Sequence, residues 1–482
     1  MSTPPAATDR GDLPVVVIGA GPVGLAAAAH LLERGLDPLV LEAGDQVGSA
    51  VRAWSHVRLF SPWRYDLDAA AVRLLEATGW TSPDPAGLPT GGDLVTRYLA
   101  PLAAVPALAP RIRTGRRVVA VSRVGMDATH SHGRSDRPFL VRTQGPDGAF
   151  VDHRARAVID ASGTWGRSNP LGAAGLPTIG ETEAGDHLSG PLPDVLGADR
   201  ARFAGRRVLV VGAGHSATNT LLDLVALAGQ EPGTVITWAV RGASAARAFG
   251  GGDRDGLPAR GALGSRLRAA VDAGRVELLT GVTITAVEAS GEASGDTSGD
   301  ALTVTTSSPA GDRRLPVDVV VPATGFRPDL AMLREVRLDL APGVEAPRRL
   351  APLIDPEFHS CGTVPAHGAD VLAHPEPGFF IAGMKSYGRA PTFLLATGYE
   401  QVRSIAAALA GDAAAAADVR LDLPETGVCS STPPADTSGG TLDLDGTASA
   451  GCCGGPVTAE PATLGFPTGL AHGRAGERAA RR

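Results

Sequence analysis

At 482 residues, 43% of them hydrophobic, the chain is too long for one ordinary domain and carries enough apolar surface for two sizeable cores. A formal charge of -7, with no basic run, excludes nucleic acid and anionic membrane as expected partners. No apolar run reaches the roughly 20 residues of a membrane helix, and the polar start lacks a signal-peptide core, so the expected location is the cytoplasm.

In chain order, residues 13–18 (LPVVVI) form a short β-branched run expected as a buried parallel strand. A glycine turn follows, then a helix over 22–34 ended by Gly35 as a left-handed cap, then a strand over 38–41 closing on Glu42. Strands are expected over 118–124 and 139–143, as a meander with a polar tip at 126–138, and over 158–160, leading into Ala161-Ser162-Gly163. The opening grammar then returns: a strand over 207–211, a glycine turn, a helix through Ala228 closed by Gly229, and a strand over 235–240. Residues 290–300 (SGEASGDTSGD) read as a hairpin tip, 317–321 as a strand, 379–382 as another, and 391–409 as a helix. From about residue 424 the chain is Gly/Ser/Thr/Pro-rich without periodicity, which predicts a disordered tail.

Both glycine turns carry chemistry. Gly19-Ala20-Gly21-Pro22-Val23-Gly24 is G-x-G-x-x-G between a strand and a helix. Its glycines permit the tight turn, the approach of a pyrophosphate, and close helix–strand packing. Glu42 stands about 20 residues on, where a carboxylate accepts ribose hydroxyls and repels a 2′-phosphate, selecting FAD or NAD over NADP. The second turn, Gly212-Ala213-Gly214-His215-Ser216-Ala217, is the G-x-G-x-x-A form. The strand after it ends in Arg241, which suits a 2′-phosphate and so favours NADPH.

These features resemble the pyridine-nucleotide-dependent flavoprotein superfamily of thioredoxin reductases and flavin-containing monooxygenases, over residues 13–410. The resemblance implies an α/β fold of two Rossmann-like dinucleotide-binding domains, the NADPH domain inserted into a discontinuous FAD domain. The implied plan is a disordered 1–12, FAD-binding parts at 13–170 and 315–415, an NADPH domain at 171–314, and a disordered Cys-containing tail at 424–482. Asp160-Ala161-Ser162-Gly163 and Ala323-Thr324-Gly325-Phe326-Arg327-Pro328 resemble the family's connecting segments, which implies FAD contacts at Ala161 and Gly163. Val118 matches the position whose backbone meets the adenine.

Three departures shape the expected chemistry. There is no redox Cys-x-x-Cys, which disfavours thiol–disulfide relay through an embedded pair. The motif F-x-G-x-x-x-H of well-known monooxygenases is not intact. Where the family places "GD" after the late strand, this chain reads Gly383-Met384-Lys385, a segment implied to lie beside the flavin. Lys385 is the only lysine among 44 basic residues. It reads either as a cation stabilising reduced flavin or a peroxide on it, or as a loop anchor bonded to backbone carbonyls. Trp54, Phe60 and Trp63 concentrate aromatics in a chain only 4% aromatic. With Ser61 among them, they either wall the flavin pocket or pack as a local core.

Cys429, Cys452 and Cys453 sit in the polar tail and read as three thiolates for a soft centre such as trivalent arsenic, or as incidental tail residues. Cys361, near His367, is a lone thiol. The CCGG ending and the GMKSYGRAPTF segment resemble ArsO-type flavoproteins of arsenic-resistance operons, which implies an arsenical substrate. The leading expectation is an NADPH- and O₂-using FAD monooxygenase acting through a C4a-(hydro)peroxide on a small soft substrate. The alternatives are a disulfide or quinone reductase and a metalloid-binding sensor. A homodimer is left open.

Overall fold

The structure is a computed structural model of the chain and describes residues 10–252, 255–289, 302–355, 364–391 and 393–421. The described residues all belong to one compact unit. The second unit, 432–482, lies outside the described residues, as do the expected tip at 290–300 and all four cysteines.

Val15–Ile18 is the central strand of a five-stranded parallel sheet, ordered Phe379–Ile381, Ala157–Asp160, Val15–Ile18, Pro38–Leu41, Ile112–Arg113. Val15, Val16 and Val17 have no exposed surface, as a strand covered on both faces requires. The helix Pro22–Glu33 begins with proline, whose fixed φ suits a first turn, and buries Ala26, Ala27, Ala28 and Ala29 completely. Those small side chains let it lie close to the sheet and to the helix Leu395–Leu409. Its end is the expected one: Gly35 has φ +70, and the Gly35 and Leu36 N–H groups donate to Leu32 O and Leu31 O at 3.0 and 2.9 Å.

A second parallel sheet is ordered Glu277–Leu279, Val235–Ala239, Arg207–Val211, Val319–Pro322. The helices His215–Gln230 and Pro258–Asp272 pack against each other in this part of the molecule. Three expectations are corrected. Gly229 lies inside the helix, without a positive φ, and the cap is Glu231. The single strand expected over 317–321 is two strands. Arg313–Val317 joins an antiparallel layer with Thr283–Ala289 and Leu302–Ser307, and Val319–Pro322 joins the parallel sheet. The chain changes sheet at Asp318, whose carboxylate accepts the Arg207 N–H and a guanidinium N–H, each at 2.7 Å. The second sheet therefore runs past residue 314, and we place the return to the first lobe after Pro322. The last helix starts at Leu395 rather than 391, because Phe393 is turned onto the Tyr387 ring, 5.1 Å between centroids.

The meander is Arg117–Arg123, Phe139–Gln144 and Phe150–Ala155. Its loop is pinned rather than free. Glu376, buried, accepts from Arg123 Nε at 2.8 Å and Arg134 Nε at 2.9 Å, while the Arg337 guanidinium holds Ala128 O and His130 O. A carboxylate this deep requires such partners. No helix among the described residues is long and apolar enough to cross a membrane.

Candidate functional site

The first glycine turn separates what the backbone needs from what a ligand needs. Gly19 has φ +99, and a Cβ there would stand 2.8 Å from Ala161 O; one on Gly24 would stand 1.9 Å from Gly19 O. Turn geometry and packing demand those two glycines. A Cβ on Gly21 would meet nothing within 4 Å. Gly21 is the N-cap of Pro22–Glu33, and no side chain caps that helix end. Uncapped N–H groups facing open space are what a pyrophosphate requires. Beside them Glu42, 9% exposed, is held by the Ala20 N–H on Oε2 at 2.7 Å and the Gly44 N–H on Oε1 at 2.8 Å. The residues present therefore fit FAD.

The second turn repeats the construction. Gly212 has φ +130, and a Cβ there would stand 2.1 Å from Ala323 O, so the turn is closed on the connecting segment as the first is on Ala161. Gly214 is an uncapped helix N-cap with nothing within 4 Å of an added Cβ, and Ala217 is fully buried, filling the close-packing position. Ser216 is half-buried. Arg241, exposed, follows the Val235–Ala239 strand and donates from Nη1 to Ala173 O at 3.2 Å. This turn fits a second dinucleotide.

The aromatic segment after the first turn meets the second turn in a contact that the sequence did not announce. The Phe60 ring lies 4.9 Å from the His215 ring, centroid to centroid, with the Arg260 guanidinium 5.9 Å from Phe60. Arg260 is itself held bidentately by Asp255 at 2.7 and 2.8 Å. Burial, then the Arg260 charge, push His215 down to about 4 against the pull of Asp255, so the imidazole is neutral at neutral pH. The aromatic patch is thus divided. Phe60 meets the second turn, Trp63 is core at 2% exposure, and Trp54 lies against Gly91, where a Cβ would stand 2.6 Å from Trp54 Cε3.

Ser61, expected at the cofactor, donates from Oγ to Asp66 Oδ1 at 2.7 Å and is buried. Its hydroxyl is occupied by a neighbour five residues away. Asp66 is closed to solvent, its Oδ2 has no hydrogen-bond partner among the described residues, and burial pushes it up to about 7 despite the Ser61 bond.

The late segment holds Lys385. Its Nζ donates to Asp160 Oδ2 at 2.7 Å and to Ser162 Oγ at 3.0 Å, and the lysine is 1% exposed. Its charge is matched by a carboxylate, and its partners are side chains rather than backbone carbonyls. It fixes Gly383–Tyr387 to the end of Ala157–Asp160. Gly383, φ +70, lies against Val23 of the first turn and donates its N–H to Gln401 Oε1 at 2.8 Å. Gln401 Nε2 in turn lies 2.8 Å from His367 Nε2. Val23, Gly383, Ala161 and Glu42 are therefore gathered around the first turn. Met384 is half-buried, Gly163 takes φ +69 in the connecting segment, and Val118 is buried in the meander strand. Sequence reasoning does not reach Asp160 or Gln401 as functional positions. For Asp160 a signal exists: an acid ending an apolar buried strand needs a cation, and the chain has one lysine. Cys429, Cys452 and Cys453 lie outside the described residues, within which no cluster suits a metal.

The pyridine nucleotide-disulphide oxidoreductase family matches over residues 16–360. The chain belongs to that family. Its members are FAD-binding, NAD(P)H-dependent oxidoreductases. The chain is similar to the indole-3-pyruvate monooxygenase of Oryza sativa subsp. japonica, 29% identical over 215 residues, which are 43% of this chain and 44% of that protein. The match thus spans less than half of the curated relative. Among solved structures, the bacillithiol disulfide reductase of Bacillus cereus superposes with a TM-score of 0.59 at 20% identity, over 83% of this chain and 99% of that one. A mutant form of the flavin monooxygenase of Stenotrophomonas maltophilia gives 0.51 at 23% identity, over 83% of this chain and 98% of that one. At these identities the likeness is one of fold.

Proposed function

We propose an FAD-dependent oxidoreductase that takes electrons from NADPH and oxygenates a small soft substrate with O₂. The observation that carries the last step is the lack of any Cys-x-x-Cys, which leaves a family fold without an embedded thiol pair. The first helix N-terminus at Gly21 would hold the FAD pyrophosphate, and Glu42 would accept its ribose hydroxyls on lone pairs not used by Ala20 and Gly44. Gly214 and Arg241 would hold NADPH. Bound there, FAD supplies two-electron redox chemistry between nicotinamide and acceptor. Phe60 against neutral His215 would border the nicotinamide path beside the second turn, and Lys385 positions Gly383–Tyr387 through Asp160. The similarity to a monooxygenase over 215 residues supports this reading.

A disulfide reductase is the second reading, favoured by the fold shared with the bacillithiol disulfide reductase. Simultaneous NADPH and O₂ recording separates them: substrate-dependent consumption of both in equal amounts is expected. NADPH oxidation that persists without O₂ when a disulfide is added would overturn oxygenation. A trivalent arsenical as substrate rests on Cys429, Cys452 and Cys453 and on the resemblance of the CCGG ending and the GMKSYGRAPTF segment. Replacing all three with Ser should abolish arsenite-dependent turnover; unchanged turnover removes that substrate reading.

A further inference from the structure

The connection between the first lobe and the second turn carries a charged cluster that neither nucleotide assignment uses. Residues 171–176 are held rigidly. Glu181 accepts the N–H groups of Leu171 and Thr178 at 3.1 and 2.7 Å, and a Cβ on Gly172 would stand 2.2 Å from Leu176 O. Two arginines from distant parts of the chain converge on this loop. A Cβ placed on Gly175 would lie 3.5 Å from Arg389 Nη2 and 3.7 Å from Arg327 Nη2. Arg327 is fixed by Nε on Asn169 Oδ1 at 2.9 Å and Nη2 toward Gly175 O at 3.3 Å. Arg389 is exposed, and its guanidinium has no carboxylate partner among the described residues; nor does that of Arg327. Glu181 accepts backbone N–H groups and forms no ion pair with either arginine.

Two guanidiniums brought to one loop without an ion pair to either repel each other and leave N–H donors unmatched among the described residues. Arg389 follows the Gly383–Tyr387 segment, which packs on Val23 of the first turn, and Arg327 follows the Ala323-Thr324-Gly325 turn that closes on Gly212, so the pair joins segments that contact each nucleotide turn. We infer that Arg327 and Arg389 form an anion-binding site that takes the phosphate or carboxylate head of a bound reactant. Either oxyanion matches the fork geometry of guanidinium and would satisfy both groups at once. The head belongs either to the pyridine nucleotide, as a phosphate beyond the one given to Arg241, or to the second substrate.

The test uses the full FAD-loaded protein and equilibrium titration calorimetry, so its outcome does not depend on turnover or on the identity of the acceptor. Inorganic phosphate is titrated into the unsubstituted protein, Arg389→Gln and Arg327→Gln, and NADP⁺ into the same three. Among the described residues the Arg389 side chain makes no hydrogen bond or ion pair, so Arg389→Gln should keep its melting temperature. Phosphate affinity is expected to fall at least tenfold in both variants. A parallel fall for NADP⁺ assigns the site to the nucleotide; unchanged NADP⁺ affinity assigns it to the second substrate. Equal phosphate affinity in all three proteins overturns the site.

Discussion

Lys385 Nζ and Asp160 Oδ2 stand 2.7 Å apart, with both side chains shut off from solvent. Removing one partner strands a charge in the core. Lys385→Met should lower unfolding free energy by ~3–5 kcal/mol, while Lys385→Met combined with Asp160→Asn should recover most of that loss. Urea unfolding of the two single variants and the double variant measures the coupling. Additive losses would mean that the pair contributes nothing as a pair.

The two turns separate folding glycines from binding glycines. Gly24→Ala drives a methyl against Gly19 O and should prevent folding of the first lobe. Gly21→Ala and Gly214→Ala add a methyl to empty space and should leave melting temperature unchanged. The first should weaken FAD and the second NADPH by about tenfold or more, ~1.4 kcal/mol each. Flavin absorbance of the purified protein and NADP⁺ titration distinguish the two losses.

Arg241 is the coenzyme selector in this reading. Arg241→Gln should weaken NADPH by about tenfold or more and leave NADH unchanged, since only the 2′-phosphate is lost to it. Equal losses for both coenzymes would move the phosphate elsewhere.

Asp66 makes stability depend on pH. Its folded value, about 7, lies above the ordinary 3.8, so the folded protein holds an extra proton between those values. Stability from this group is full below about pH 4 and declines as pH rises through 7. Asp66→Asn removes that slope. Its stability relative to the parent should therefore rise by roughly 2–4 kcal/mol between pH 4.5 and 8.5, read by urea unfolding at each pH. His374, pushed down to about 4 by burial, has the opposite sign and contributes stability that is lost as pH falls below 6.5.

Local patterns in the chain carried the first and second parallel strands, the helix cap at Gly35 and both turns. In these, a few consecutive residues contain the whole cause: a β-branched run, a glycine at positive φ, an acid at a strand end. What was not legible depends on residues far apart. The ion pair of Lys385 was not legible because Asp160, its partner, is encoded 225 residues earlier. The Ser61 bond to Asp66 was not legible because nothing in that neighbourhood predicts that Asp66 would be buried in need of a donor. The strand expected over 317–321 failed for a different reason: apolar continuity does not reveal that one residue, Asp318, passes the chain from one sheet to another.

The edge strand Phe379–Ile381 has a consequence for synthesis. The second sheet possesses all its strands once Pro322 has been made, whereas the first sheet waits for Phe379–Ile381, and Pro22–Glu33 waits for Leu395–Leu409. At ~5–20 residues per second, Ala157–Asp160 emerges with a bare edge for roughly 10–40 s. The inserted lobe therefore matures inside an unfinished host. Loading of the first turn becomes a late event in the life of the nascent chain, and truncation anywhere before residue 379 leaves an open sheet edge rather than a smaller flavoprotein.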